Sequence, residues 1–262
     1  MTLRTLTAAQ LTLDDERDFR HVGLFRDLKQ IMADDRCLFR VPAKGATLPW
    51  GRALFLNLTF WSAAEPSDVL TDDHPPADVL AHAAWHHLAR LAFAGRAMSA
   101  DALFLGESIA SAFDLYLVGR LLTNAPDSDF LATQVPAMTD AALDAGVSEE
   151  DFEALLTSVS ADPDRAFEDL RALLFDVCAS LVAATDVDDA VGRLAAFAGH
   201  RFHALLHHYE VSNWILYARA YAASALAPDP FARSIDASLR EAPSSLDWLD
   251  AQWVQPRLAR AR

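Results

Sequence analysis

Seven of the nine histidines in this chain fall in two short groups: His82, His86 and His87, then His200, His203, His207 and His208. Imidazole both binds transition metals as a neutral ligand and exchanges protons near neutral pH, so such grouping points to metal binding or acid–base work. In His82-Ala83-Ala84-Trp85-His86 the two histidines are four residues apart. On a helix that spacing puts both rings on one face, one turn apart, where they can share an ion. The pair alone is also what two hydrogen-bonded core histidines would look like. The next segment tips the balance. Leu103 to Leu122 is apolar nearly all round, which predicts a buried helix, and Glu107, Ser111 and Asp114 share one stripe of it. A buried carboxylate is costly unless it is paired, hydrogen-bonded or metal-bound. His82 and His86 are the nearest candidates in sequence to share a metal with Glu107.

The elements that must position these residues are marked by their punctuation. Pro75 and Pro76 suit the first turn of a helix running to about Ala94, with Gly95 as its stop. Ser99 is placed to cap the Glu107 helix. Upstream, a helix is expected over about Leu13–Asp34, then a short strand at Cys37–Val41 and a longer, apolar one at Arg52–Trp61. Pro42, Gly45, Pro49 and Gly51 mark the loop between the strands. Downstream, Ser148 with Asp151 resembles a capping box, Asp162-Pro163 opens a long helix, and a further helical stretch is expected over Val187–Leu226, broken near Ser212.

Strands, a helix with two histidines four apart, and a second helix with a glutamate about 20 residues on: this order resembles the gluzincin branch of zinc metallopeptidases. There the first helix carries HExxH and the second supplies the third ligand within a Glu-x-x-Ala pattern followed by an aromatic. Glu107-Ser108-Ile109-Ala110-Ser111-Ala112-Phe113 is similar. The resemblance, which covers roughly residues 37–122, implies zinc on His82, His86 and Glu107. It also implies that Asp114 or Ser111 orients a ligand histidine, and gives Arg52–Trp61 the place of the strand that pairs with substrate. One position departs from the pattern. The glutamate of HExxH polarises the zinc-bound water, and here that residue is Ala83. The resemblance therefore implies a zincin-like metal site without the usual peptidase base.

The second histidine group is expected on a helix, where His200, His203 and His207 form one stripe. It could add a ligand to the first site or hydrogen-bond a developing oxyanion. It could also complete a dinuclear iron site in a helical bundle, although the paired Glu-x-x-His motifs of such proteins are absent: Ala110 follows Glu107 at that spacing, and Arg171 follows Glu168. His203, His207 and Glu210 are the candidate catalytic residues, standing in for the carboxylate missing at Ala83.

Composition narrows the rest. Acidic residues outnumber basic ones 37 to 22, a net charge of −15 over 262 residues, which repels phosphate backbones and argues against nucleic-acid binding. Two cysteines cannot build a thiolate zinc cage. No Gly-x-Ser-x-Gly, phosphate-cradling glycine loop or calcium loop is present. There is no signal-peptide core and no run of about 20 uncharged apolar residues, so a cytoplasmic protein that does not enter membranes is expected. Two lysines beside abundant Ala and Asp suit a GC-rich bacterial genome.

The expected fold is α+β and predominantly helical, with a small N-terminal β-sheet, a zincin-like metal-site helix pair and a helical C-terminal half. The metal-site portion is placed at 1–125 and the helical portion that packs on it at 126–262. The expected function is that of a divergent zincin-like metalloprotein, a metal-dependent hydrolase of a small molecule or peptide. The alternatives are a dinuclear iron oxidase and a non-catalytic binding protein that docks a protein partner at residues 52–61.

Overall fold

The computed structural model describes residues 3–43, 68–221 and 227–260. The apolar run at 52–61, expected as a strand and as a docking edge, lies outside the described residues. Strand β1 (Leu3–Thr7) pairs antiparallel with β2 (Leu38–Pro42), in a register from Leu3 opposite Pro42 to Thr7 opposite Leu38. The two-residue β3 (Asp68–Val69) adds to β2 in parallel. Helix α1 (Gly23–Asp34) connects β1 to β2 and buries Phe25, Leu28, Ile31 and Met32. It starts about ten residues later than expected. Asp15 adopts a left-handed backbone (φ 51°), and Glu16–His21 winds as a tighter 3-10 helix that still buries Phe19.

Helices then dominate, as the sequence predicts, and the protein is 70% helical. Helix α2 (Ala77–Ala92) begins after Pro76 and is followed by Gly95 at φ 80°. A left-handed residue there ends a helix at little steric cost only when it is glycine. Helix α3 (Ala100–Asn124) is capped by Ser99, whose Oγ accepts the Ala102 N–H at 3.1 Å. Three more helices follow, α4 (Asp129–Asp144), α5 (Glu149–Ala161) and α6 (Pro163–Leu181), capped by Ser128, Ser148 and Asp162.

Helix α3 is the axis of the molecule. Apolar around its whole circumference, it is enclosed by α2, α5 and above all α6. It is long and apolar enough to cross a membrane by length and composition, but it is mostly buried within the protein. Gly119 lets it approach the α5–α6 junction. A Cβ there would lie 2.7 Å from the Val159 carbonyl oxygen and 3.1 Å from the Pro163 ring. Buried side chains from Ala8 to Val254 form one apolar cluster around this axis.

The C-terminal part comprises α7 (Val187–Ala195), α8 (Val211–Tyr221), α9 (Pro230–Glu241), α10 (Ser245–Leu249) and, after a π turn, α11 (Gln255–Leu258). Helix α9 is tied to the start of α3 by Ser99–Asp229 at 2.7 Å and Arg233–Asp101 at 2.7 Å. Arg257 returns to α1 with two bonds to Asp35, at 2.7 and 2.8 Å, and Asp35 also accepts from His87 of α2 at 2.6 Å.

One expectation is corrected. The chain between α7 and α8 is not helical, so His200, His203 and His207 do not form a helical stripe. It runs in turns with a single 3-10 turn at His203–Leu205. Gly199, a weak helix former, lies near the start of the segment, and i→i+3 bonds such as His203 N to His200 O (2.9 Å) replace the α pattern. That tighter winding carries Phe202, Leu205, Leu206 and Tyr209 into the core and turns the histidines between them in different directions.

Candidate metal centre

Asp78, His82 and His86 recur every four residues along α2, so they stack on one face, and that face is turned toward α3. The two helices approach closely because Gly106 faces Ala89: a Cβ at Gly106 would lie 3.4 Å from the Ala89 Cβ and 4.0 Å from Nδ1 of His86. This brings His86 to Glu107, with Nε2 to Oε2 at 3.5 Å. The His82 and His86 rings lie 4.8 Å apart between centroids. One potential ligand atom from each of His82, His86 and Glu107 can be chosen so that all lie within 4.8 Å of one another. Among the described residues this is the group of three such side chains able to hold a metal ion.

The surroundings prepare the donors. His82 Nδ1 lies 2.9 Å from Asp114 Oδ2, one of the two partners considered from the sequence. With the Nδ1 proton donated to the carboxylate, Nε2 keeps its lone pair for a metal. His86 is 7% exposed, and burial, helped by neighbouring His82, holds its pKa well below the usual imidazole value. It is therefore neutral, the form that coordinates. Cys178 of α6 lies buried near Glu107, and burial together with that carboxylate keeps its thiol protonated. Two imidazole nitrogens and one carboxylate oxygen are a donor set that suits zinc. Ligand atoms on a tetrahedral zinc at about 2.0–2.1 Å sit about 3.3 Å apart, close to the His86–Glu107 spacing.

The group opens into a cavity of about 300 Å³ lined by His82, Glu107, Ser111 and Asp114 on one side. Gln134 and Met138 of α4, Trp214 of α8 and the run His208-Tyr209-Glu210 complete the lining. Glu210 holds a left-handed backbone (φ 50°) and accepts a bond from Asn213 Nδ2 at 2.6 Å. A non-glycine residue costs about 1–2 kcal/mol in that conformation, and such strain gathers at functional sites. Burial keeps the Tyr209 phenol protonated and lowers the pKa of His208, with Asp114 and Glu210 pulling His208 the other way.

Of the expected catalytic residues, Glu210 thus lines the same cavity as His82 and Glu107. His203 and His207 line a different cavity, of about 730 Å³. Tyr209, Gln134 and Asp78 are the residues sequence reasoning passes over, while His208 is grouped with the other histidines but not among the candidate catalytic residues. Asp78 has a signal, four positions before His82 on the same helix. Tyr209 sits in the turn segment, where no helical periodicity governs placement, and Gln134, although on α4, belongs to no chemical pattern that ties it to the site.

Asp78 is itself informative. Its Oδ1 is buried without a hydrogen-bond partner. Burial first, then the charges of Asp114 and Asp15, push its pKa up to about 7. A carboxyl raised in the folded state favours folding fully below its ordinary value near 3.8, and that contribution is lost as pH climbs toward 7. Asp78→Asn, which cannot ionise, is therefore expected to be more stable than the wild type at pH 8 and to lose that advantage by pH 4. Each tenfold change in proton affinity is worth about 1.4 kcal/mol, so the difference is on the order of a few kcal/mol. Urea midpoints at the two pH values measure it, and parallel pH profiles for both proteins would refute it.

No protein-family model matches the chain, and neither a curated protein nor a solved structure matches it. The geometry alone carries the functional reading.

Proposed function

We propose that this chain is a zincin-like metalloprotein that holds one zinc ion on His82, His86 and Glu107 and hydrolyses a small-molecule or peptide substrate in the adjoining cavity. The supporting observation is the meeting of these three donors within 4.8 Å on two adjacent helices, beside an open cavity. A divalent ion there supplies Lewis-acid polarisation of a carbonyl or a water molecule. The chain's own groups divide the rest. Asp114 fixes the tautomer and orientation of His82. Glu210 accepts the proton that HExxH enzymes give to the glutamate replaced here by Ala83. The neutral His208 ring and the Tyr209 phenol offer hydrogen bonds to an oxygen that gains charge. Gln134 and Trp214 close the cavity around the substrate.

The test compares Glu210→Gln with Glu107→Gln, measuring metal content beside turnover of an ester and a peptide panel. Glu210→Gln should keep its zinc and lose about 10²–10⁴ in rate, the usual share of a general base. Glu107→Gln should lose both. Full activity in Glu210→Gln would remove the proposed base. Ala83 favours the second reading, a binding protein that keeps a metalloprotease-like scaffold; a zinc-loaded wild type inert toward the whole panel would support it. Iron in place of zinc on the same two-histidine, one-carboxylate set would redirect the chemistry to oxidation.

A further inference from the structure

Helix α7 has apolar residues at Val187, Ala190, Val191 and Leu194, the i, i+3, i+4, i+7 spacing of a helix that covers a core. Yet none of its residues is fully buried: Ala190 and Leu194 pack on the core only in part, and Val187 is 76% exposed. Val187, Ala190 and Leu194 instead line the 730 Å³ cavity, with Leu181 of α6 and Ile215 of α8 contributing further apolar wall. The polar side chains His203, His207 and Glu210 come from the turn segment. Arg219, also on the wall, spends its guanidinium on the Val182 and Ala184 carbonyls.

We infer that this cavity binds a small molecule with an apolar chain, the chain lying under α7 and its uncharged polar end at Glu210. The volume falls in the range of about 300–1,000 Å³ typical of small-molecule sites, and an apolar lining with a few convergent polar groups is their usual chemistry. A recess walled by Val187, Ala190 and Leu194 of α7 and by Leu181 and Ile215 fits a chain-like ligand better than a flat protein surface. Among the described residues, Glu210 is the one that lines both this cavity and the metal pocket. The direction of the polar end rests on the hydrolase reading: an acyl chain held here presents its carbonyl group toward the metal pocket.

The experiment is calorimetric titration of the full chain with the 1-alkanols from hexanol to dodecanol, which are uncharged and cannot be hydrolysed. Affinity is expected to rise about four-fold per added methylene until the cavity is full. Ala190→Trp fills the space from a partly buried position on the cavity wall, so it should stay folded with a wild-type circular-dichroism spectrum and lose at least ten-fold in affinity. Glu107→Gln should bind the alkanols as the wild type does, so a failed metal reading leaves this result standing and the reverse also holds. Absence of saturable binding at every chain length would overturn the inference, as would unchanged binding by Ala190→Trp. A wild-type dimer that Ala190→Trp dissociates would also overturn it, making the cavity an interface between two copies.

Discussion

Dialysed against zinc and then freed of excess, the wild-type chain is expected to retain one ion per molecule, while a His82→Ala/Glu107→Ala double variant retains none. The expectation follows from the packing. His86 is held neutral by burial, His82 is oriented by Asp114, and Glu107 is carried to 3.5 Å from His86 by the close contact at Gly106. The three donors, within 4.8 Å of one another, have only to close onto the ion as it binds. Asp114→Asn, which leaves every proposed ligand in place, should weaken affinity by about 10- to 100-fold, the usual effect of removing a partner that orients a ligand histidine. Elemental analysis and competition with a chromophoric chelator read both effects. Metal that survives in the double variant would place the site elsewhere.

The largest effect on stability is expected at Arg171, whose side chain is fully buried in α6. It makes two bonds to Glu168 at 2.7 Å and one to Asp236 of α9 at 2.8 Å. Ser245 adds a bond to Glu168 at 2.6 Å, and Arg240 adds one to Asp236 at 2.9 Å. Arg171→Met leaves two largely buried carboxylates without their central cation. Breaking such a pair costs about 3–5 kcal/mol, a large part of the roughly 5–15 kcal/mol that holds a domain together. Replacing Glu168 and Asp236 by leucine in the same chain should restore much of the loss, because the desolvation of all three charges disappears with them. Urea unfolding of the single and triple variants measures both steps, and a single-variant loss under about 1 kcal/mol would refute the account.

The helices that carry the candidate metal ligands are legible in the sequence because local chemistry dictates them. Pro76 and Gly95 bound α2, and Ser99, Ser148 and Asp162 cap the helices they precede. The all-round apolar α3 and the four-residue spacing of His82 and His86 determine which face meets which. The segment 196–210 reads as a helix because its buried residues, Phe202, Leu205, Leu206 and Tyr209, recur at intervals that suit one. Only tertiary packing distinguishes that pattern from a run of tighter turns. The same ambiguity hides the division of the second histidine group, with His208 on the metal pocket and His203 and His207 on the apolar cavity. The pairing of Arg171 with Asp236, 65 positions apart, has no local signature at all.

The enclosure of α3 also bears on how the chain is made. Its best partner, α6, ends about 57 residues after α3 does. At about 5–20 residues per second, a ribosome needs about 3–11 s to deliver that cover. Until α5 is complete, partway through that interval, an apolar segment as long as a membrane span has α2 as its main finished neighbour. Asp101, Glu107, Asp114 and Arg120, the charged residues along it, interrupt the stretch and raise the cost of its entering lipid while it waits.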